Sequence, residues 1–466
     1  MTPDLTFASV TEQRALIEDG TVTSRELVDH ALARIHALDP QLNAFVHVLD
    51  EAALAEAEAR DALSPDARGP LHGVPIAIKD ENDVAGVPTA FGGAAFTTPA
   101  SADGEIVRRL REAGAVIVGK TRMPEFGIWP YTETSANGYT RNPWNPLRST
   151  AGSSGGTAAA VASGMVAAAI GGDGGGSIRL PSSWCGLYGL KCQRGRTSSA
   201  PNTNLWRALG VIGPLTRTVA DSALVYDAIT GTLPSDSWRA EPLTESLTSA
   251  LAREPRPMRI AVSTRGPARG LHADAETLAA LAATADALRA AGHTVIEVTP
   301  RFPSIELAFT VQVAAGVADE ASRAEHPELL ERRTRGLLRL TRPLRGRVAW
   351  AERTSVAAGE AFAASFFTDY DLLLMPTTPT PAVPIGQLDG LGAVAASRKA
   401  TPASGFTSIW NVLGNPAAAI PSGFSSDGLP LSVQLVGRPG AEADVLQVSA
   451  QLERDRPWAA ARPPVS

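Results

Sequence analysis

The chain has 466 residues, of which 44% are hydrophobic and 19% charged, so its composition predicts a well-packed globular protein rather than a disordered one. The formal net charge of −6 argues against binding to nucleic acid, which needs a basic surface. Two cysteines, Cys185 and Cys192, are too few for a disulfide framework or a zinc site. The first residues do not resemble a signal peptide, and the low cysteine count fits a reducing compartment, so we expect a cytoplasmic protein. We also expect no metal, no cofactor and no membrane contact.

The first 65 residues predict a helical cover over the rest of the chain. Residues 9–12 (Ser-Val-Thr-Glu) and 23–26 (Thr-Ser-Arg-Glu) are spaced as capping boxes, in which a hydroxyl and a carboxylate satisfy free amides in a helix's first turn. Residues 50–63 are rich in alanine and acidic residues and predict a third helix. We expect no catalytic group in this segment.

From residue 74 onward, apolar runs alternate with segments of helical period, which is the pattern of an α/β domain with a buried sheet. The predicted strands are 74–79, 115–119, 187–190, 259–263, 294–298, 371–375 and 431–436. The predicted helices are 104–113, 221–230, 274–291 and 441–452. We therefore expect one domain over residues 1–466, with a catalytic core at 70–230, a variable substrate-side part at 231–400, and closing strands and a helix at 401–466.

An arginine-dense tract lies between residues 332 and 347. Its members are Arg332, Arg333, Arg335, Arg339, Arg342, Arg345 and Arg347. The simplest interpretation is a solvated helix face, and the alternative is a surface for an anionic substrate, partner or membrane. The sequence leaves both interpretations open.

Two serine-bearing loops stand out near the middle of the chain. Ser153 lies in the first and Ser177 in the second, and no charged residue occurs between positions 149 and 172. Such small residues let the backbone approach a neighbour or a ligand closely, and the apolar stretch between the loops is typical of a buried Ala-rich helix. The consecutive amides of residues 174–177 could point at one spot and form an oxyanion hole.

Lys79, at the end of the first predicted strand, is the candidate base for these loops. A lysine can accept a proton only in its neutral form, and burial among apolar side chains lowers its pKa. Ser153 could then relay a proton from Ser177 to Lys79. A Ser–His–Asp triad stays open, because a distant histidine could fold into the site. A nucleotide-binding loop at residues 171–176 is a further alternative, although this glycine-rich loop contains neither a P-loop Lys-Ser/Thr nor a Rossmann fingerprint.

Residues 152–156, 172–179 and 185–191 together resemble the signature of the amidase signature family. The similarity covers nearly the whole chain. Further matching stretches are 69–80, 119–121, 123–127, 141–144, 213–221, 415–417 and 428–437. The fold that this resemblance implies is a single α/β/α domain around a large mixed, mainly parallel sheet.

The resemblance also implies a set of catalytic roles. Ser177 would be the nucleophile, Ser153 the bridging serine after a cis peptide, and Lys79 the base, with the two serines 24 residues apart as the family requires. The implied oxyanion hole comprises Gly174, Gly175, Gly176 and Ser177. The implied structural supports are Ser154, Asp173 and Arg179.

The reaction implied by the resemblance is hydrolysis of an amide through an acyl-enzyme, with carbamates or esters as further candidate substrates. Aromatic residues in the loops favour an apolar or aryl substrate, although each could instead pack in the core. The candidate pocket residues are Phe126, Gly127, Trp129, Tyr131, Trp206 and Trp410. The alternative within the family is a glutamine amidotransferase subunit of a tRNA-dependent transamidase. We otherwise expect a small-molecule substrate and a monomer or homodimer.

The chain departs from the family pattern at three positions. Gly174 stands where the family usually has threonine or isoleucine, Ala151 where it has glycine, and Cys192 where it favours proline. None of these changes removes a catalytic group. The missing side chain at Gly174 predicts an oxyanion loop that is more mobile or more open.

Overall fold

A computed structural model describes residues 4–202, 205–267 and 270–466. Helices and strands alternate along these residues. The strands are β1 (Phe45–Val48), β2 (Pro75–Lys79), β3 (Val116–Thr121), β4 (Glu133–Thr134), β5 (Gly138–Tyr139), β6 (Arg141–Asn142), β7 (Asn145–Ser149), β8 (Ala168–Asp173), β9 (Gly189–Lys191), β10 (Val211–Thr216), β11 (Arg259–Val262), β12 (Thr294–Glu297), β13 (Leu372–Pro376), β14 (Ala417–Phe424) and β15 (Pro430–Gly437).

The helices lie mainly between strands of the two larger sheets. They are α1 (Val10–Glu18), α2 (Ser24–Leu42), α3 (Asp50–Asp61), α4 (Glu105–Glu112), α5 (Gly155–Ala162), α6 (Arg179–Cys185), α7 (Val219–Ile229), α8 (Leu247–Leu251), α9 (Ala275–Ala290), α10 (Glu306–Ala321), α11 (Arg332–Leu340), α12 (Val348–Phe366), α13 (Ala393–Ala400), α14 (Ser408–Leu413) and α15 (Glu442–Asp455). Both predicted capping boxes are present, at the starts of α1 and α2.

Two sheets form the central layer. One has the strand order β1-β3-β2-β8-β10 and the other the order β12-β11-β13-β15-β14-β9. A bridge between Tyr188 and Thr216 joins their neighbouring edges, so the layer is continuous. The predicted α/β fold with a large mixed sheet is confirmed. Within the described residues, four strand pairs of this layer are parallel and five antiparallel, so the sheet is more evenly mixed than expected.

Helices cover both faces of this layer, and the alternation along β2 shows how. Ile76 and Ile78 face a core shared with α4 and α7, while Ala77 faces the opposite core with α2 and α5. Because side chains of a strand point alternately to its two faces, Lys79 lies on the same face as Ala77. The small residue at position 77 leaves room there for α5.

The stretch between the two serine loops is not one helix. It forms a short helix, α5, followed by the strand β8, which pairs with β2 and β10. Alanine favours helices in isolation, but here a place between two strands outweighs that preference. The strand delivers residues 174–177 directly from the centre of the sheet.

The arginine-dense tract lies in α11 and the turn after it. Arg332, Arg339, Arg342 and Arg347 are exposed to solvent. In contrast, the guanidinium of Arg333 lies 3.0 Å from the carboxylate of Glu331. Among the helices of the described residues, none is long and apolar enough to cross a membrane.

Candidate active site

Lys79 ends the strand β2 and its side chain is fully buried. Its Nζ donates a hydrogen bond of 2.7 Å to Ser153 Oγ. The period-two alternation of the strand directs this side chain towards the start of α5, where Ser153 lies two residues before the helix. The structure therefore brings together two of the three predicted catalytic groups, although 74 residues separate them in the chain.

Burial lowers the pKa of Lys79, because it removes water from the ammonium form. The carboxylate of Glu81 opposes this effect, since Glu81 Oε1 lies 3.2 Å from Lys79 Nζ. The more distant carboxylate of Asp173 also favours the charged form. The proton affinity of Lys79 thus depends on a balance between desolvation and one close anion.

The backbone around Ser153 has two unusual features. The peptide bond between Gly152 and Ser153 is cis, as the family resemblance implies. Gly127 lies next to the serine with a φ of +67°, and a Cβ on this residue would be 3.0 Å from Ser153 Oγ. Position 127 therefore favours glycine for two reasons, its left-handed backbone and the closeness of the serine hydroxyl.

Asp173, the last residue of β8, braces the loop that carries Ser177. Its carboxylate pairs with Arg179, with Arg179 Nε at 2.9 Å from Oδ2 and Nη2 at 3.0 Å from Oδ1. Both side chains are fully buried. Burial alone would raise the pKa of Asp173, but the Arg179 guanidinium outweighs it and holds the pKa at about 2. The aspartate is therefore an anion over the whole neutral range.

Residues of the second sheet and of α14 complete this brace. Arg179 Nη2 donates to Asn411 Oδ1 at 2.7 Å, and Nη1 donates to Gln434 Oε1 at 3.2 Å. Asn411 Nδ2 in turn donates to the backbone carbonyl of Asp173 at 2.7 Å. Thr407 Oγ1 donates to the carbonyl of Gly175 at 2.8 Å. Polar contacts from residues beyond position 400 thus hold the loop between β8 and α6.

The hydrogen bonds of this loop correct one predicted oxyanion donor. The amide of Gly176 donates to Asp173 Oδ1 at 2.6 Å, so this N–H group is already used within the protein. In the part of the chain that the structure describes, the amides of Gly174, Gly175 and Ser177 donate to no other residue. These three amides are the remaining donors for an oxyanion.

Ser154 contacts the end of β8, just before the loop that carries Ser177. Its hydroxyl donates to the carbonyl of Gly172 at 3.2 Å, and the amide of Gly172 donates back to the same oxygen at 3.3 Å. This pair of contacts ties the start of α5 to the end of β8. The position of Ser154 agrees with the structural role that the resemblance implies.

The expectation of an open loop at Gly174 is wrong. A Cβ on Gly174 would lie 2.1 Å from Trp206 Cδ2, because the indole ring of Trp206 fills the space next to the glycine. The side chain of Trp206, from another loop, thus takes up the space at position 174.

Cys192, another departure from the family pattern, is buried in a hydrophobic core with Tyr188 and Tyr226.

Ser177 lines a cavity of about 310 Å³ and is 6% exposed. Most of the side chains around this cavity are apolar. Its lining includes Ile128, Trp129, Leu180, Trp206, Ile305, Phe309, Val313 and Leu337. Among the described residues that line it, one is charged, Glu306. The cavity can therefore hold an apolar group next to the hydroxyl of Ser177.

Only half of the predicted pocket residues line this cavity. Gly127, Trp129 and Trp206 do. Phe126 and Trp410 do not, because both are packed in a hydrophobic core, where Trp410 contacts the rings of Phe302 and Phe362. Tyr131 is likewise buried, and its ring stacks on Trp184 with centroids 6.1 Å apart. These three aromatic residues are core residues, and their prediction as pocket walls was wrong.

Sequence reasoning missed several residues of the site. Glu81 lies two positions after Lys79. Its closeness in sequence to a lysine expected to be buried was the signal that could have identified it as a site residue. Phe309 lies in α10 and Ile305 is its N-terminal cap. The amphipathic pattern of this helix does not distinguish residues that line the cavity from residues that pack in the core. Asn411 and Thr407 carry no local signal, because only the fold brings them to the Ser177 loop.

Comparison with known proteins identifies the family of this chain. The model of the amidase family matches residues 26–446. AmiB2 of Mycobacterium tuberculosis, a protein named as an amidase, is 43% identical over 466 residues with 99% of each chain covered. A glutamyl-tRNA(Gln) amidotransferase subunit of Chloroflexus aurantiacus is 36% identical over 501 residues, again with 99% of each chain covered.

Solved structures also resemble this chain over nearly its whole length, and they are amidase signature enzymes or related hydrolases. That of 6-aminohexanoate cyclic dimer hydrolase superimposes with a TM-score of 0.93 at 32% identity and covers 99% of both chains. A bacterial aryl acylamidase of the amidase signature family has a TM-score of 0.85 at 27% identity, covering 98% of this chain and 99% of its own. The chain is thus an amidase, a hydrolase of carbon–nitrogen bonds, and it belongs to the amidase signature family.

Proposed function

We propose that this amidase cleaves small apolar or aryl carboxamides through an acyl-enzyme on Ser177, with Ser153 as the bridging serine and Lys79 as the base. The observation that carries this proposal is the hydrogen bond of 2.7 Å between the fully buried Lys79 Nζ and Ser153 Oγ. It is supported by the position of Ser177 on the wall of an apolar cavity.

In the proposed reaction, Ser177 Oγ attacks the amide carbonyl carbon and gives its proton to Ser153, whose own proton passes to Lys79. The negative oxygen of the tetrahedral intermediate accepts hydrogen bonds from the free amides of the loop, including that of Ser177. When the carbon–nitrogen bond breaks, the relay returns a proton to the departing amine. Water then attacks the acyl-enzyme, loses a proton through the same relay, and releases the carboxylic acid.

The cavity walls support the proposed substrate class. Trp129, Trp206 and Phe309 offer apolar ring surfaces beside Ser177, which favour a neutral aryl or alkyl group on the amide. Carbamates and esters pass through similar tetrahedral intermediates, so we expect them as side substrates. The aryl acylamidase and the cyclic dimer hydrolase are both named for amide substrates of their own, which supports this choice.

The second candidate is glutamine hydrolysis for a tRNA-dependent transamidase. The 36% identity to a glutamyl-tRNA(Gln) amidotransferase chain favours it. Free glutamine carries an ammonium and a carboxylate, whose desolvation against apolar walls is costly. The lining of the cavity therefore favours the neutral amide.

A substrate panel tests the proposal. The purified chain is assayed with an anilide, an aliphatic amide, a carbamate, an ester and glutamine, and Ser177→Ala is assayed beside it. A matched control is Ser163→Ala, because Ser163 is equally a buried serine but donates to the carbonyl of Ala159 inside α5. We expect the anilide to be the best substrate and only Ser177→Ala to be inactive.

Other outcomes would contradict the proposal. Full activity of Ser177→Ala would exclude this serine as the nucleophile, and turnover of glutamine alone would support the transamidase candidate.

We also propose a cytoplasmic monomer or homodimer. The two buried free thiols, Cys185 and Cys192, suit a reducing compartment.

A further inference from the structure

A buried carboxylate, that of Glu81, lies beside Lys79 and is its close anionic neighbour. Glu81 is 7% exposed, and its Oε1 lies 3.2 Å from Lys79 Nζ. Apart from this ion pair, neither carboxylate oxygen of Glu81 has a hydrogen-bond partner in the described residues. The mechanism proposed above assigns no role to Glu81.

The backbone of β8 closes the space around this carboxylate. A Cβ on Gly172 would lie 1.9 Å from Glu81 Oε1, so a side chain at position 172 would displace the carboxylate. The carboxylate therefore lies against bare backbone. With so little room, Glu81 is kept close to Lys79.

The other carboxylates near Lys79 are each paired with a different cation. Asp173 pairs with Arg179, at 2.9 Å between Arg179 Nε and Asp173 Oδ2. Asp80, the residue next to Lys79, pairs with Lys120 at 2.9 Å. Glu81 is thus the close anion whose charge is balanced mainly by Lys79.

We propose that Glu81 is a positioning residue that strengthens Lys79 as the base, by stabilising the ammonium that forms when Lys79 accepts the proton of Ser153. This inference rests on the proposed function. Before proton transfer, an anionic Glu81 faces a neutral amine, and after it the two groups form a buried ion pair. The interaction is therefore stronger after proton transfer, and such a difference lowers the barrier to attack by Ser177.

The two influences on Lys79 act in opposite directions. Burial lowers the pKa of Lys79 and Glu81 raises it. Burial without the carboxylate would give a lysine that is neutral over a wide pH range but a weaker proton acceptor. With the carboxylate, Lys79 is a stronger base, and the acidic limb of the pH–rate profile lies at higher pH.

The test is the pH dependence of kcat/KM for the best anilide in wild type and Glu81→Gln. We expect the acidic limb of Glu81→Gln to move to lower pH and the plateau to fall about tenfold, because the base is weaker. The matched control is Glu105→Gln, since Glu105 is also 7% exposed and ion-paired but lies in α4, away from Ser177. This control should keep the wild-type limb. An unchanged limb in Glu81→Gln would overturn the inference.

Two further variants keep the result interpretable. Glu81→Asp retains the charge on a shorter side chain, so its limb should lie between those of wild type and Glu81→Gln. If Glu81→Gln does not fold, an unchanged limb in Glu81→Asp would itself overturn the inference. Ser177→Ala is measured in parallel: activity in that variant contradicts the proposed function, whereas an inactive Ser177→Ala with an unmoved Glu81→Gln limb contradicts only the role of Glu81.

Discussion

The indole of Trp206 and the backbone of Gly174 occupy complementary space, since a Cβ on Gly174 would come within 2.1 Å of Trp206 Cδ2. Trp206 also lines the cavity beside Ser177. One ring thus both lines the cavity and packs against the loop that carries Ser177. The glycine and the tryptophan should therefore depend on each other.

We predict that Gly174→Thr lowers kcat/KM about 100-fold, because the new side chain must displace Trp206 or the loop, and displacements of about 1 Å can cost this much. Gly174→Thr combined with Trp206→Ala should recover part of the loss, since the smaller residue frees the space. The measurement is kcat/KM for the best anilide in both single variants and the double variant. Wild-type activity in Gly174→Thr, or additive losses in the double variant, would contradict this dependence.

Lys79→Met should abolish turnover, because it removes the base. At a pH below the acidic limb, where Lys79 carries its proton and pairs with Glu81, it should also lower the free energy of unfolding by ~3–5 kcal/mol, because Glu81 then lies buried without its cation. Adding Glu81→Gln should restore most of that stability while turnover stays absent. Denaturant unfolding and an anilide assay measure the two effects. If Lys79→Met were as stable as wild type, the ion pair between Lys79 and Glu81 would have no energetic weight.

Asp173→Asn should lower the free energy of unfolding by ~3–5 kcal/mol, because it leaves the guanidinium of Arg179 buried without an anion. It should also lower kcat, since the amide of Gly176 and the whole Ser177 loop are held by this carboxylate. Glu442→Gln is the control, because Glu442 forms a buried pair with Arg196 at 2.9 Å outside the cavity. The control should lose stability but keep kcat; loss of kcat in both would show a general folding defect.

The same pair should resist acid. The pKa of Asp173 is held at about 2 in the folded chain, below its ordinary value. A carboxylate with a lowered pKa contributes stability that is present above its unfolded pKa and is lost as the pH falls through the folded pKa. This contribution should therefore persist at about pH 4 and disappear towards about pH 2, as acid unfolding of wild type and Asp173→Asn can measure.

A buried glutamate, Glu125, should give the opposite pH dependence. Burial, helped by the nearby Glu331, raises the pKa of Glu125 to about 7. A raised carboxyl pKa means that the folded chain binds the proton more tightly, so stability falls as the pH rises towards about 7. Glu125→Gln should remove roughly 2 kcal/mol of the loss in unfolding free energy between about pH 5 and pH 8. An identical pH dependence in wild type and variant would contradict the raised pKa.

The parts of the site that could be predicted from sequence are those with a local pattern. Lys79 ends an apolar run, and Ser153 and Ser177 lie in stretches of small residues with a family spacing. The strand β8 was not predicted, because its alanines and glycines have low strand propensity and only its neighbours make it a strand. Tertiary context therefore decided the conformation of this stretch.

The aromatic residues show the same limit. Trp206 and Trp410 are both loop-side tryptophans in the sequence, yet one lines the cavity and the other is fully buried. The contacts of Arg179 with Asn411 and Gln434 span 232 and 255 residues of chain. No periodicity or spacing could reveal them, since they depend on how the two sheets meet.

Those long-range contacts have a consequence for biosynthesis. The loop with Ser177 is made early in translation, but the side chains that hold Arg179 come from Asn411 and Gln434. The ribosome adds about 5–20 residues per second, so many seconds pass between synthesis of the Ser177 loop and synthesis of Asn411 and Gln434. We expect a nascent chain to remain without amidase activity until residue 434 has left the ribosome, so that hydrolysis begins only after the second sheet can form.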